Sequence, residues 1–256
     1  MEFGLNLFSI RTLIGDKKSF LETACRLRDM GYSFLQYSGG PYDPDMIARV
    51  SAQSGLPVVL THVPRTRILE ETDALMEEHA KFGCKNIGLG DIGRDLIIDR
   101  STFCDIVEKL ERVAEHMDKN GYKFFYHHHH YEFFRRDGMT MIEYMMKNAP
   151  HINFTLDTYW VQYGGVSISD TVKKLSGRIE CVHLKDYEIH IKDEERYLFE
   201  PRFAPVGDGN INFKEIIPQM VDSGVKHFLV EQDNASSLPD PMGLVERSIK
   251  YLKGEF

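Results

Sequence analysis

The chain has 256 residues, 42% hydrophobic and 27% charged, the balance of an ordinary globular protein long enough to bury a full core. No apolar run approaches the roughly 18 residues that a membrane span requires. The start, MEFGLNLFSIR, lacks the basic region, long apolar core and small-residue cleavage site of a signal peptide, which points to the cytoplasm. A formal net charge of −8 argues against nucleic acid as a partner, because duplex binding rests mainly on Lys and Arg neutralising phosphates.

The first apolar run, residues 3–9, reads as a strand, with Ser9 and Arg11 at its end. An amphipathic segment, a glycine and an apolar run then recur. CRLRDMG precedes YSFLQY, ARVSAQSG precedes LPVVLTH, and EEHAKFG precedes CKNIGLG; farther on, AEHMDKNG precedes YKFFYHH and PQMVDSG precedes VKHFLVEQ. Glycine suits the position just past a helix because it takes the left-handed conformation without a Cβ penalty, so Gly31, Gly55, Gly83, Gly121 and Gly224 read as helix stops.

Residues 101–120 show the helical half of the pattern, with Ser101 as N-cap and Ile106, Leu110, Val113 and Met117 forming one stripe. Further strands at 152–157 and 179–184 bring the total to about eight. The longest irregular stretch, 187–212, follows the seventh strand, where a loop overhangs the catalytic face of a barrel. Short apolar strands alternating with helices imply parallel pairing, and the whole chain, 1–256, reads as one α/β domain, a (β/α)8 TIM barrel. A doubly wound sheet would carry a Gly-rich phosphate turn after its first strand, and none follows LNLFSIR. Cys25, Cys84, Cys104 and Cys181 form no CxxC and read as free thiols, while the internal run His127–His130 continues FFY and belongs to the fold.

In such a barrel the active site lies at the C-terminal strand ends, and here these are unusually polar. They carry Ser9, Arg11, His62, His127, His129, Asp157, His183, Lys185 and Glu231. Asp157, His183 and Glu231 each close a short apolar run, and a mixed nitrogen and oxygen set suits a borderline divalent ion: Mn²⁺ first, with Co²⁺, Zn²⁺ or Mg²⁺ as alternatives. The fifth strand offers His127, His129 or Glu132 as the remaining ligand, and spacing favours His127.

The strings YHHHHYEF (126–133), LDTYWVQYGG (156–165), HLKD (183–186), PVGDGNINF (205–213) and VEQD (230–233) resemble those of the xylose-isomerase-like TIM barrels that act as sugar phosphate isomerases and epimerases. The likeness is closest to the branch with YHNHDFEF at the first string, and LFSIR is similar to its LYSLR. The resemblance implies a metal held by Glu, Asp, His and Glu. Asp157, His183 and Glu231 match the last three, while His127 stands where the epimerases have glutamate. One member of their two-glutamate proton shuttle is therefore missing, and Glu132 could supply it.

A metal chelating a carbonyl and a neighbouring hydroxyl stabilises the enediolate formed when a carboxylate removes the adjacent proton. The expected activity is thus sugar isomerisation or epimerisation, on a free, phosphorylated or oxidised sugar. Glu231 or Glu132 is the base, and Lys185, His62 and His129 polarise substrate oxygens. Arg11 and Arg202 are candidates for an anionic group, and Trp160, beside Tyr159, for stacking on a sugar ring. Loss of a β-leaving group would make the same site a lyase, dehydratase or glycoside-eliminating enzyme on a keto-sugar or inosose. A DNA-cleaving abasic-site endonuclease of the same superfamily would need a basic groove, which the acidic balance opposes. A non-catalytic sugar-binding barrel, or the metal-carrying subunit of a larger complex, is the reading of another class. The small-molecule partner is a sugar, and nothing in the sequence opposes a homo-oligomer.

Overall fold

The computed structural model describes residues 1–256. Eight parallel strands close a barrel: β1 (Phe3–Asn6), β2 (Phe34–Tyr37), β3 (Val58–His62), β4 (Asn86–Leu89), β5 (Lys123–His127), β6 (Asn153–Asp157), β7 (Cys181–Leu184) and β8 (His227–Val230). Each pairs with its neighbours in chain order, and β1 closes on β8 through Phe3 opposite Phe228. No helix is long and apolar enough to cross a membrane.

The two-residue period of a strand sets up the interior in layers. Phe34, Leu60, Phe125, Cys181 and Leu229 form a small apolar cluster of their own. Two residues farther along the same strands and on the same face come Gln36, His62, His127, His183 and Glu231. Asp157 joins this upper layer from β6, where it is opposite His183 in the β6–β7 register. Strand β4 contributes glycine instead: a Cβ on Gly88 would collide with the Thr61 carbonyl and the His62 ring, so its absence makes room for that imidazole. The main core lies between strands and helices and holds 60 buried residues, so most of the apolar surface is buried outside the barrel and leaves its mouth free for polar groups.

Three sequence expectations are corrected. The first strand ends at Asn6, not residue 9, because the Asn6 side chain accepts the Phe8 N–H and caps a 3₁₀ turn over Leu7–Leu13 that contains Ser9 and Arg11. Helix Arg100–Lys119 is capped by Asp99, whose carboxylate accepts from the Thr102 N–H, so Ser101 lies inside the first turn. Residues 187–212 are irregular only in part: Asp186–Asp193 and Leu198–Ala204 form an antiparallel hairpin over the β7 end, and 205–212 return from it without helix or strand. Its alternating Tyr187, Ile189 and Ile191 carried the period-2 signal in the sequence. The five glycines expected to stop helices all have positive φ, from +70° to +104°.

The return from the hairpin is tied to the β7 end by one buried side chain. Asp186 accepts four backbone N–H bonds, from Tyr187, Gly207, Gly209 and Ile211, at 2.8–3.1 Å. This explains why HLKD and PVGDGNINF occur together. A Cβ on Gly209 would run into the Asp186 carboxylate and the Tyr187 carbonyl. Gly209→Ala is therefore expected to cost about 1–3 kcal/mol, read as a lowered melting temperature, whereas an unchanged melting temperature would show that the turn is free to shift.

Candidate metal centre

Four buried side chains from four adjacent strand ends meet at the barrel mouth. The ligand-type atoms of His127, Asp157, His183 and Glu231 all lie within 4.8 Å of one another. Glu231 follows β8 directly, and its N–H continues the ladder to Leu184 O at 3.0 Å. His129 and Glu132, the other candidates from the fifth strand, are outside this group.

The hydrogen bonds behind the imidazoles determine which nitrogen faces inward. His127 Nδ1 is 2.9 Å from the Gly90 carbonyl, and His183 Nε2 is 2.7 Å from Gln36 Oε1. Both partners are oxygen acceptors, so these outer nitrogens carry the hydrogens and the inner ones present lone pairs. His127 Nε2 lies 3.3 Å, and His183 Nδ1 3.6 Å, from Asp157 Oδ2, while His183 Nδ1 is 2.8 Å from Glu231 Oε2. Neither His183 Nδ1 nor Glu231 Oε2 makes a directed hydrogen bond, although both are buried. Two imidazole lone pairs and two carboxylate oxygens facing one another repel unless a cation or protons sit among them, so the set fits a divalent ion.

A proton on the inner nitrogen of His183 answers the same negative field as a cation does, and it would leave as a metal binds. Burial works to strip the proton from His183, but Glu231 and Asp157 overcome it and hold the imidazole up at about 9. Burial also disfavours charge on Lys185, yet Asp157, Asp233 and Glu231 keep its ammonium well above the ordinary range. Lys185 Nζ lies 2.8 Å from Asp157 Oδ2, 2.9 Å from Glu231 Oε2 and 3.0 Å from Asp233 Oδ1. Three carboxylates against the Lys185 ammonium and the His183 imidazolium leave one negative charge, which becomes two when His183 gives up its proton to a divalent ion. Glu231 is held by Asn6 Nδ2 at 2.6 Å, and Asn6 in turn accepts from Ser38 Oγ.

His127 and Glu231 of the cluster line a cavity of about 470 Å³, together with His62, His129, Lys185, Asp233, Arg65 and Asp91, while Asp157 and His183 stand behind them. Another cavity, of about 250 Å³, lies beside helices Arg100–Lys119 and Met141–Asn148 and touches none of the strand-end residues. The His62 ring centroid is 5.3 Å from that of His127 and 5.7 Å from that of His183, and its Nε2 is buried without a hydrogen-bond partner. Trp160 stands behind His129, with ring centroids 5.2 Å apart and Lys185 Nζ 5.3 Å from the indole.

Trp160 is off the cavity lining, behind His129, and three other expected site residues are elsewhere. Glu132 is fully buried on the outer side of β5, where Tyr126 Oη donates to one carboxylate oxygen at 2.7 Å and the His129 N–H to the other at 2.8 Å. It anchors the loop and does not line the cavity, so it is not placed to act as a base. Arg11 donates to the Phe8 and Asp233 carbonyls and covers the Phe8 ring. Arg202 pairs with Glu188 across the hairpin and is exposed. Sequence reasoning in turn missed Asn6, Gln36 and Asp233. The first two were legible as polar residues within the apolar runs FGLN and FLQY, and Asp233 as the last residue of VEQD.

A family model described as xylose isomerase-like TIM barrel matches residues 26–255. Among solved structures, a sugar phosphate isomerase/epimerase from Parabacteroides distasonis ATCC 8503 is 21% identical, with a TM-score of 0.78 over 98% of this chain and 93% of that one. A xylose isomerase-like TIM barrel protein from Mycobacterium smegmatis in complex with magnesium is 13% identical, with a TM-score of 0.71 over 98% and 95%. An L-ribulose 3-epimerase is 16% identical, with a TM-score of 0.72 over 100% and 94%. No curated protein matches.

Two outcomes are expected from this geometry. Wild-type protein should hold one Mn²⁺ per chain, and Asp157→Asn, which keeps the oxygen that accepts the Trp160 N–H, should weaken binding at least about 100-fold by electron paramagnetic resonance of free Mn²⁺. Equal binding by both proteins would remove the metal centre. For Glu132, burial pushes the carboxyl up to about 8 against the Tyr126 and His129 donors. The folded chain then binds more protons than the unfolded one between about pH 4.5 and 8, so this residue lowers stability as pH rises through that window. Urea denaturation should show wild type losing ground to Glu132→Gln by up to ~1.4 kcal/mol per pH unit, and parallel curves would contradict the assignment.

Proposed function

Since the chain belongs to the xylose isomerase-like TIM barrel family, we propose that it is a divalent-metal-dependent isomerase or epimerase of a small sugar. The observation that carries this reading is the buried His127, Asp157, His183 and Glu231 set, which reaches a sugar-sized polar cavity through His127 and Glu231. The epimerase and isomerase neighbours share the fold and agree with the reading.

A divalent ion, which His127, Asp157, His183 and Glu231 would hold, would supply Lewis acidity that makes a C–H beside a substrate carbonyl easier to ionise. Glu231, on the cavity wall, is the carboxylate in reach of that proton. Asn6 holds its other oxygen, so the side chain is oriented before substrate arrives. Lys185, whose three N–H groups are taken by Asp157, Glu231 and Asp233, fixes those carboxylates in position before substrate arrives. His62, with its free Nε2, and His129 are placed to hydrogen-bond hydroxyls. Trp160 presents an aromatic face behind His129. Return of the proton by Glu231 to the neighbouring carbon gives isomerisation, whereas epimerisation would take its proton from a second donor on the opposite face.

The test is solvent exchange. Mn²⁺-loaded protein incubated in D₂O with a panel of keto- and 3-keto-sugars is expected to introduce deuterium next to the carbonyl, followed by proton NMR, and Glu231→Gln to slow the exchange about 100-fold or more. Loss of a β-substituent in the same tubes would identify a lyase. No exchange with any sugar would leave a binding protein as the better account.

A further inference from the structure

The cavity has a second wall that the metal-ligand set does not use, built by the loops after β3 and β4. It includes Val63, Pro64, Arg65, Gly90 and Asp91. Arg65 is the only arginine on the cavity lining, and it is half-buried. Its Nη1 donates to the Ile92 carbonyl, leaving four of the five guanidinium N–H groups without an assigned acceptor. No carboxylate pairs with it. The contrast with its neighbours is sharp: Arg67, two residues on, pairs with Glu71 and Glu78, and Lys185, the other cation on the lining, is saturated by three carboxylates. Asp91 Oδ1 accepts from the Gly93 N–H of its own loop at 2.6 Å and from Tyr131 Oη, in the turn after β5, at 2.8 Å.

A half-buried guanidinium loses hydration and regains it only from an acceptor. Its planar fork matches carboxylate and phosphate oxygens two at a time. Position is the second observation. Arg65 lies three residues beyond His62, so their Cα atoms are at most ~11 Å apart. His62 in turn stands against the His127 and His183 rings. His127, Glu231, His62 and Arg65 line one cavity, so a ligand with its reacting carbons at the metal-ligand set and its chain running past His62 would meet Arg65.

We propose that the cavity takes a sugar bearing a compact anion, carboxylate or phosphate, at the end remote from the reacting carbons, with Arg65 as the receptor for that anion. The sugar part rests on the function proposed above, but the anion receptor is tested without it. Inorganic phosphate and acetate are titrated separately into the full chain, with and without Mn²⁺, by calorimetry and through the fluorescence of Trp160, the single tryptophan. The metal-free arm separates an anion held by the ion from one held by the arginine. Wild type is expected to saturate at one site, and Arg65→Gln to weaken that site about tenfold or more, with Arg65→Lys in between. Phosphate alone binding assigns a phosphorylated sugar, and acetate alone a sugar acid.

No saturable binding, or binding by Arg65→Gln within twofold of wild type, overturns the proposal. In the exchange assay, Arg65→Gln should raise KM for an anionic ketose and leave kcat, and the neutral ketose, unmoved. Exchange that ignores Arg65 defeats only the anion receptor. Arg65-dependent anion binding without any exchange defeats only the isomerase reading.

Discussion

A barrel of eight strands has an interior just wide enough for side chains to fill, and the pleat allows each strand to place one residue per layer. Everything at the mouth of this barrel follows from that constraint. Phe34, Leu60, Phe125, Cys181 and Leu229 plug the interior with an apolar layer that needs no partners. The next inward position along those strands cannot be apolar without closing the mouth, and it is filled by amide, imidazole and carboxylate groups. Because the layer below is rigid and the strands are in register, these groups meet at hydrogen-bond distances without a loop having to carry them there.

A polar layer in so confined a space must satisfy itself, and here it does so in two ways. Outward-facing atoms have neutral partners: Gly90 O behind His127, Gln36 behind His183 and Asn6 behind Glu231. Inward-facing atoms have only one another and Lys185. The result is a preorganised group whose polar atoms are fixed from behind and whose charge is left uncompensated in front, the arrangement a folded chain tolerates when a cation completes it. Lys185 holds the same carboxylate oxygens that face the imidazoles, so it keeps the cluster together and also shares its ligands.

Most of this was legible in the sequence because barrel strands are short, apolar and end abruptly. The alternation of amphipathic segment, glycine and apolar run is enough to predict the fold, and a polar residue closing an apolar run marks the upper layer. Asp157, His183, Glu231 and His127 meet because they share that register. Asn6 and Gln36 obey the same rule and were passed over because amides do not advertise chemistry. The misplaced residues failed for a different reason. Glu132 and Arg11 lie in 3₁₀ turns and Arg202 in the hairpin, all beyond the barrel strands whose register sets direction, and each has an acceptor or donor nearby that claims it. The hairpin after β7 was readable by its alternation but hidden by its charge.

The run of four histidines shows how far one rule reaches. His127 ends β5 and joins the cluster, and His129 lines the cavity, as alternation requires of residues two apart. His128, between them, points the other way and accepts the Asp157 N–H at 3.1 Å, which ties the β5 end to the strand carrying the neighbouring carboxylate. His130 is beyond the strand and packs edge to face on Tyr163 and beside Trp160. Four identical side chains therefore take four roles, set by pleat direction and by the point at which the ladder ends. Glu132 holds that end in place by accepting the His129 N–H and the Tyr126 hydroxyl, so the carboxylate that lies outside the cavity still determines where the imidazoles inside it stand.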